Sequence, residues 1–136
     1  MKRPTALAMA TVVFLGGAAC GGGAAVSVSP SPLAPKGGPV PVELAGAWKM
    51  VADPTNILTF SGIDYVFGDG SKGNVAVNGS EINFYNDEPC DVPLPGGIGK
   101  YRWTIETGLL TFGSLNSDRC ARLNVLVDPQ GWQRSP

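Results

Sequence analysis

Turn-forming residues punctuate this chain so closely that no segment after Pro41 has room for a long helix. There are 19 Gly and 12 Pro in 136 residues. Both residue types end regular elements, Gly by allowing positive φ and Pro by removing a backbone donor. Between the breaks lie short apolar or alternating runs: Ala47–Ala52, Ile57–Phe60, Ile63–Phe67, Asn74–Val77, Glu81–Tyr85, Lys100–Ile105, Leu109–Phe112 and Ala121–Val127. Each has the length and residue types of a strand. Lys100–Ile105 alternates most cleanly, with Tyr101, Trp103 and Ile105 on one side and Arg102 and Thr104 on the other. Asn78-Gly79 separates two alternating runs and predicts a type I′ hairpin turn. Asn86–Gly99 reads as one long loop, and Trp132 falls in a C-terminal tail. The pattern predicts an all-β fold: a small eight-stranded antiparallel up-and-down β-barrel over residues 41–136, whose closure removes the unpaired edges of an open sheet. Strands this short make a squat barrel filled by its own side chains. Trp48, Phe60, Phe67, Phe84, Trp103 and Phe112 are the bulky inward candidates.

Charge and composition exclude several kinds of chemistry. Lys plus Arg is 10 and Asp plus Glu is 11, a net charge of −1. Nothing in that balance draws a nucleic acid. The chain has no His, so the commonest general base and metal ligand is missing and no Ser/His/Asp set exists. Gly68–Gly73 is rich in Gly but lacks the Gly-Lys-Ser order and following helix of a phosphate loop. Asp87, Glu88 and Asp91 cluster around Cys90, but Pro89 and Cys90 interrupt the ligand alternation of a calcium loop. A solvated acidic loop is expected there. No catalytic residue, metal or cofactor is expected, and the chain does not read as an enzyme.

The N-terminus has a different character. Met1-Lys2-Arg3 is basic, Ala6–Leu15 is apolar, and Gly16–Ala19 are small. This is the pattern of a signal peptide over residues 1–19, too short to span a bilayer as a mature helix. The Ala19-Cys20 junction followed by Gly21-Gly22-Gly23 resembles the lipobox of bacterial lipoproteins. The resemblance implies that Cys20 carries acyl chains and that the protein is held to a membrane in the cell envelope. Gly17 stands where that family prefers Leu. Gly17 and Ala19 also suit an ordinary signal peptidase, which leaves simple secretion as the alternative. Residues 20–40 hold no amphipathic period and read as a flexible Gly/Pro/Ser linker, reaching roughly 25 Å as a coil.

Three Cys are present. In an exported chain Cys90 and Cys120 are expected to form a disulfide, which leaves Cys20 as the odd one. Closing a loop of about thirty residues stabilises by roughly 3 to 4 kcal/mol in the chain-entropy model. A redox or nucleophilic role lacks both a Cys-x-x-Cys spacing and a His.

Gly46-Ala47-Trp48 resembles the Gly-x-Trp triplet of the calycin superfamily, the lipocalins and their relatives. In that superfamily the Trp closes the barrel floor and a basic residue from the end of the barrel stacks across it. The resemblance implies Gly46 and Trp48 as structural residues with Arg122 as the stacking partner. The lipocalin Thr-Asp-Tyr motif is absent, and nothing matches the biotin contacts of avidin-like proteins. What it implies overall is a small bacterial lipocalin-like lipoprotein. The expected function is a tethered module binding a small apolar ligand near Tyr65, Phe67, Tyr101 and Trp103. The alternative is an envelope interaction protein with a solid barrel and partner-binding loops.

Overall fold

The structure, a computed structural model, describes residues 33–88 and 90–136. Eight strands follow one another: β1 (Gly46–Met50), β2 (Ile57–Ser61), β3 (Asp64–Phe67), β4 (Lys72–Asn78), β5 (Glu81–Glu88), β6 (Gly99–Glu106), β7 (Leu109–Ser114) and β8 (Trp132–Arg134). One helical turn, α1 (Leu123–Leu126), precedes β8. Every strand pairs antiparallel with its sequence neighbours, and β8 returns to β1, so the sheet is a closed barrel. The connections at residues 62–63, 79–80 and 107–108 lie at one end, the floor. The connections at 51–56, 68–71, 90–98 and 115–131 form the other end, the mouth.

The tight floor turns follow from backbone freedom. Asn78 pairs with Glu81 in the ladder, so the two central residues are Gly79 and Ser80. Of these only Gly79 has positive φ, at 58°, which fits a type II′ turn rather than the type I′ expected at Asn78-Gly79. Positive φ at both central residues occurs instead at Thr107 (51°) and Gly108 (80°). In β6 the expected alternation holds: Tyr101 is buried, while Lys100, Arg102 and Thr104 are exposed.

Aromatic rings fill the interior. Phe84 is the hub, with ring centroids 4.9 Å from Tyr65, 5.6 Å from Tyr101, 6.0 Å from Phe60 and 6.1 Å from Phe112. Tilted and edge-on contacts of this kind add to the large area that the rings remove from water. Trp48, Phe60, Phe84 and Phe112 are buried as expected, while Phe67 and Trp103 are only partly so.

Three expectations are corrected. Ala121–Val127 is not the last strand. Ala121 has φ 61°, Arg122 and Leu126 are buried while Asn124 between them is exposed, and the Leu126 N–H donates to Arg122 O at 2.8 Å, the pattern of a helical turn rather than a strand. The last strand is Trp132–Arg134, and Trp132 lies in the core rather than in a tail. The cation over Trp48 is consequently Arg134, 4.5 Å from the ring centroid, and Arg122 lies elsewhere. Finally, the end of the stretch read as linker packs on the barrel. Gly38 bridges Val77 with both backbone bonds at 2.9 Å, and the Val40 N–H donates to Gly62 O at 2.7 Å. The placement of Cys20 and residues 1–32 falls outside the described residues.

The floor is sealed at this seam. Leu44 is fully buried and its carbonyl accepts the Trp48 indole N–H at 2.9 Å. Arg134 spans the seam as well, donating to Ala45 O at 2.8 Å and to Glu43 O. Gly46 has φ 101°, and a Cβ there would sit 3.3 Å from Arg134 Nη1, so the triplet's glycine makes room for the cation that covers its tryptophan. Arg134→Met therefore loses the ring contact and both carbonyl bonds. The expected cost is about 1 to 3 kcal/mol in urea unfolding. A change below about 0.5 kcal/mol, the range of an ordinary surface substitution, contradicts this account of closure.

Candidate functional site

The mouth holds a cleft of about 470 Å³, lined by Phe67 at the end of β3, Asp87 near the end of β5, Val92, and the Cys120–Val125 segment with Arg122. Its walls are loops, and their chemistry explains why they hold a shape. Cys90 and Cys120 form a disulfide, as expected from the sequence. It staples the loop after β5 to the segment leading into α1.

Beneath the cleft lies a buried ionic network. Arg122 donates from Nε to Asp118 Oδ2 at 2.8 Å and from Nη2 to Asp118 Oδ1 at 2.9 Å. Nη2 also donates to Gly97 O at 2.8 Å. Asp118 further accepts the Tyr101 hydroxyl and, at 2.9 Å, the Cys120 N–H. Side-chain exposure is 2% for Arg122 and 0% for Asp118. A buried pair survives only when its remaining donors and lone pairs are occupied, and Asp118 meets that condition with four bonds. Burial alone would push the Asp118 carboxyl up, but the Arg122 and Tyr101 hydrogen bonds hold it below the usual carboxylate range. Gly99 makes room for it: a Cβ there would come 2.3 Å from Asp118 Oδ2.

Asp87 is in a different state. Its side chain is 6% exposed, and its nearest ionic partner is Arg122 Nε at 3.7 Å. Burial pushes its carboxyl up, against the opposing influence of Tyr65 and Arg122. The Tyr65 hydroxyl lies close enough to Asp87 and Arg122 to interact with both, though neither it nor Arg122 Nη1 closes a hydrogen bond of short, well-aligned geometry. Burial raises the Tyr65 and Tyr101 hydroxyls, helped by the neighbouring carboxylates Asp87 and Asp118 respectively. Both tyrosines stay neutral donors through the physiological range.

The four residues expected to bind a ligand are thus distributed. Phe67 lines the cleft. Tyr65 and Tyr101 are buried in the aromatic core, with hydroxyls in the ionic network. Trp103 lies toward the floor, donating to Gly79 O at 3.0 Å and sharing a separate depression with Trp48, Ile105 and Arg134. The acidic loop is corrected in part: β5 continues through residues 86–88 and Asp87 belongs to the buried network, while Glu88 and Asp91 are exposed as expected. Asp118 and Val125 were not singled out in the sequence. The four-residue spacing of Asp118 and Arg122 was the available signal, and the strand reading of Ala121–Val127 hid it.

Chemically, the site offers a carboxylate, apolar contacts and a fixed guanidinium. At its rim the Ser71 hydroxyl donates to Asp69 Oδ1 at 2.6 Å. Among the described residues no group of three or more His, Cys, Asp or Glu side chains could hold a metal ion. The closed eight-stranded antiparallel meander is consistent with a lipocalin-like fold. Comparisons with protein-family models, with curated proteins and with solved structures return no match.

The two carboxylates make opposite contributions to stability. Asp118 has a depressed folded pKa, so its contribution is present above the unfolded carboxylate value and is lost as pH falls through the folded value. Asp87 has a raised folded pKa, so its contribution is present below the unfolded value and is lost as pH rises through the folded one. At neutral pH Asp118→Ala is expected to cost about 3 to 5 kcal/mol, because a buried guanidinium is left unpaired. Asp87→Asn is expected to raise the melting temperature at pH 7, with the gain vanishing near pH 3, where both forms are neutral. Thermal unfolding across that pH range checks both signs, and an acid-labile gain from Asp118→Ala would contradict them.

Proposed function

We propose that this chain is an extracytoplasmic lipoprotein of calycin type, held to a bacterial membrane through Cys20, whose barrel mouth binds a small molecule with a substantial apolar part. The observation that carries the reading is the mouth cleft. It has the volume of a small-molecule site, apolar walls at Phe67, Val92 and Val125, and a few convergent polar groups. The filled interior means that the ligand sits between the loops and not deep in the barrel. The Cys90–Cys120 disulfide supports an oxidising compartment. The lipobox-like Ala19-Cys20 junction supports the anchor. No helix among the described residues is long and apolar enough to cross a membrane.

One feature favours a second reading, an interaction module that grips an envelope protein with its loops. Val51, Leu115 and Val127, all in mouth loops, are exposed apolar side chains. Native mass spectrometry of protein purified from its own host separates the two. The proposal expects a small-molecule adduct that is lost on denaturation. A repeated ligand-free mass together with a defined heteromeric complex would establish the second reading instead. The anchor has its own test: Cys20→Ala is expected to move the protein from the membrane fraction to the soluble fraction, and retention in the membrane would refute lipid attachment.

A further inference from the structure

We propose that the mouth site selects an amphipathic organic cation, a protonated amine carried on an apolar body, with the charged head against Asp87 and the body against Phe67, Val92 and Val125. This rests on the reading of the mouth as a ligand site and names the class of ligand it takes.

The distribution of hydrogen bonds carries the inference. Two buried carboxylates share one guanidinium. Asp118 takes both the Nε and the Nη2 bonds of Arg122 and is saturated by Tyr101 and Cys120. Asp87 is left with an approach of 3.7 Å to Nε. It is nevertheless withdrawn from water, and it lines the cleft. A carboxylate withdrawn from water with only the long Arg122 contact and the Tyr65 hydroxyl beside it is incompletely compensated, and a cation brought to it offsets that cost. The remaining donor of the guanidinium, Nη1, is itself fully buried, so it does not compete as an anion contact at the cleft surface.

The rim has the same sign. Asp69 and Asp91 line the cleft against a single further cation, Arg119. A cleft with that excess attracts cations and repels carboxylates. The absence of a three-ligand cluster among the described residues separates this site from an inorganic cation site. An alkylammonium needs only one carboxylate and an apolar wall, and both are present.

Calorimetric titration of the full chain carrying Cys20→Ala, purified without detergent, tests the proposal with three probes of equal chain length: decylammonium, decanol and decanoate. Decylammonium is expected to bind roughly tenfold more tightly than decanol, with decanoate the weakest. In Asp87→Asn that preference is expected to collapse while decanol still binds, and this variant is the one expected to fold with no loss of stability. Equal affinities, a preference for decanoate, or an unchanged preference in Asp87→Asn would overturn the cation assignment and leave the ligand-site reading standing. Failure of all three probes to bind the wild-type mouth would overturn both.

Discussion

Barrel closure depends on a three-residue seam. β8 pairs with β1 through Trp48↔Arg134, Lys49↔Gln133 and Met50↔Trp132, and with β7 through two residue pairs. So short a strand contributes few ladder bonds. Its side chains do the rest. Trp132 is buried in the core with its indole N–H donating to Leu126 O at 3.2 Å, and Arg134 covers Trp48 while binding two carbonyls of the incoming chain. Without this seam β1 and β7 would be exposed edges of an open sheet, a form prone to pairing with other chains. The arrangement therefore spends large side chains where backbone pairing is scarce.

The mouth follows from a second constraint, the burial of Arg122. A guanidinium in that position must be matched by partners, and they are the local Asp118 and, from more distant segments, Gly97 and, more loosely, Asp87. Gly97 and Asp118 sit on the two loops that the disulfide joins, and Asp87 lies near the end of β5. Gly99 and the bulge between Lys72 and Asn74 give the required clearances. At Gly73 a Cβ would meet Tyr85 O at 2.7 Å and the Tyr65 ring at 2.8 Å, so Tyr65 reaches the network only because that position has no side chain. The cleft is thus a by-product of satisfying one cation, and the carboxylate that satisfies it least, Asp87, is the one that faces the cleft.

The strands were legible in the sequence wherever alternation ran for several residues between turn formers. Tyr101, Trp103 and Ile105 share a face as their spacing implied, and Cys90 pairs with Cys120. The failures have a common physical cause. α1 is a single turn, shorter than the window over which a period of 3.6 differs from one of 2. Ala121–Val127 therefore passed for a strand, which displaced β8 and assigned the basic partner of Trp48 to Arg122 instead of Arg134. The hairpin at Gly79 differed because the ladder includes Asn78 and leaves Gly79-Ser80 as the turn. The role of Asp87 was illegible for another reason. Its acidity was visible, but its withdrawal from water depends on the disulfide and on Arg122, which lies 35 positions away in the chain.

The strap at residues 38–44 has a mechanical consequence. Tension applied from the N-terminal side reaches the barrel through the Gly38–Val77 bridge, the Val40–Gly62 bond and the Leu44 plug, all at the floor. Load entering there is carried by backbone pairs against β4 and the β2–β3 turn. The disulfide-bracketed loops at the opposite rim lie off that line of force, so pulling from the N-terminal side leaves the geometry around Asp87 and Arg122 slack.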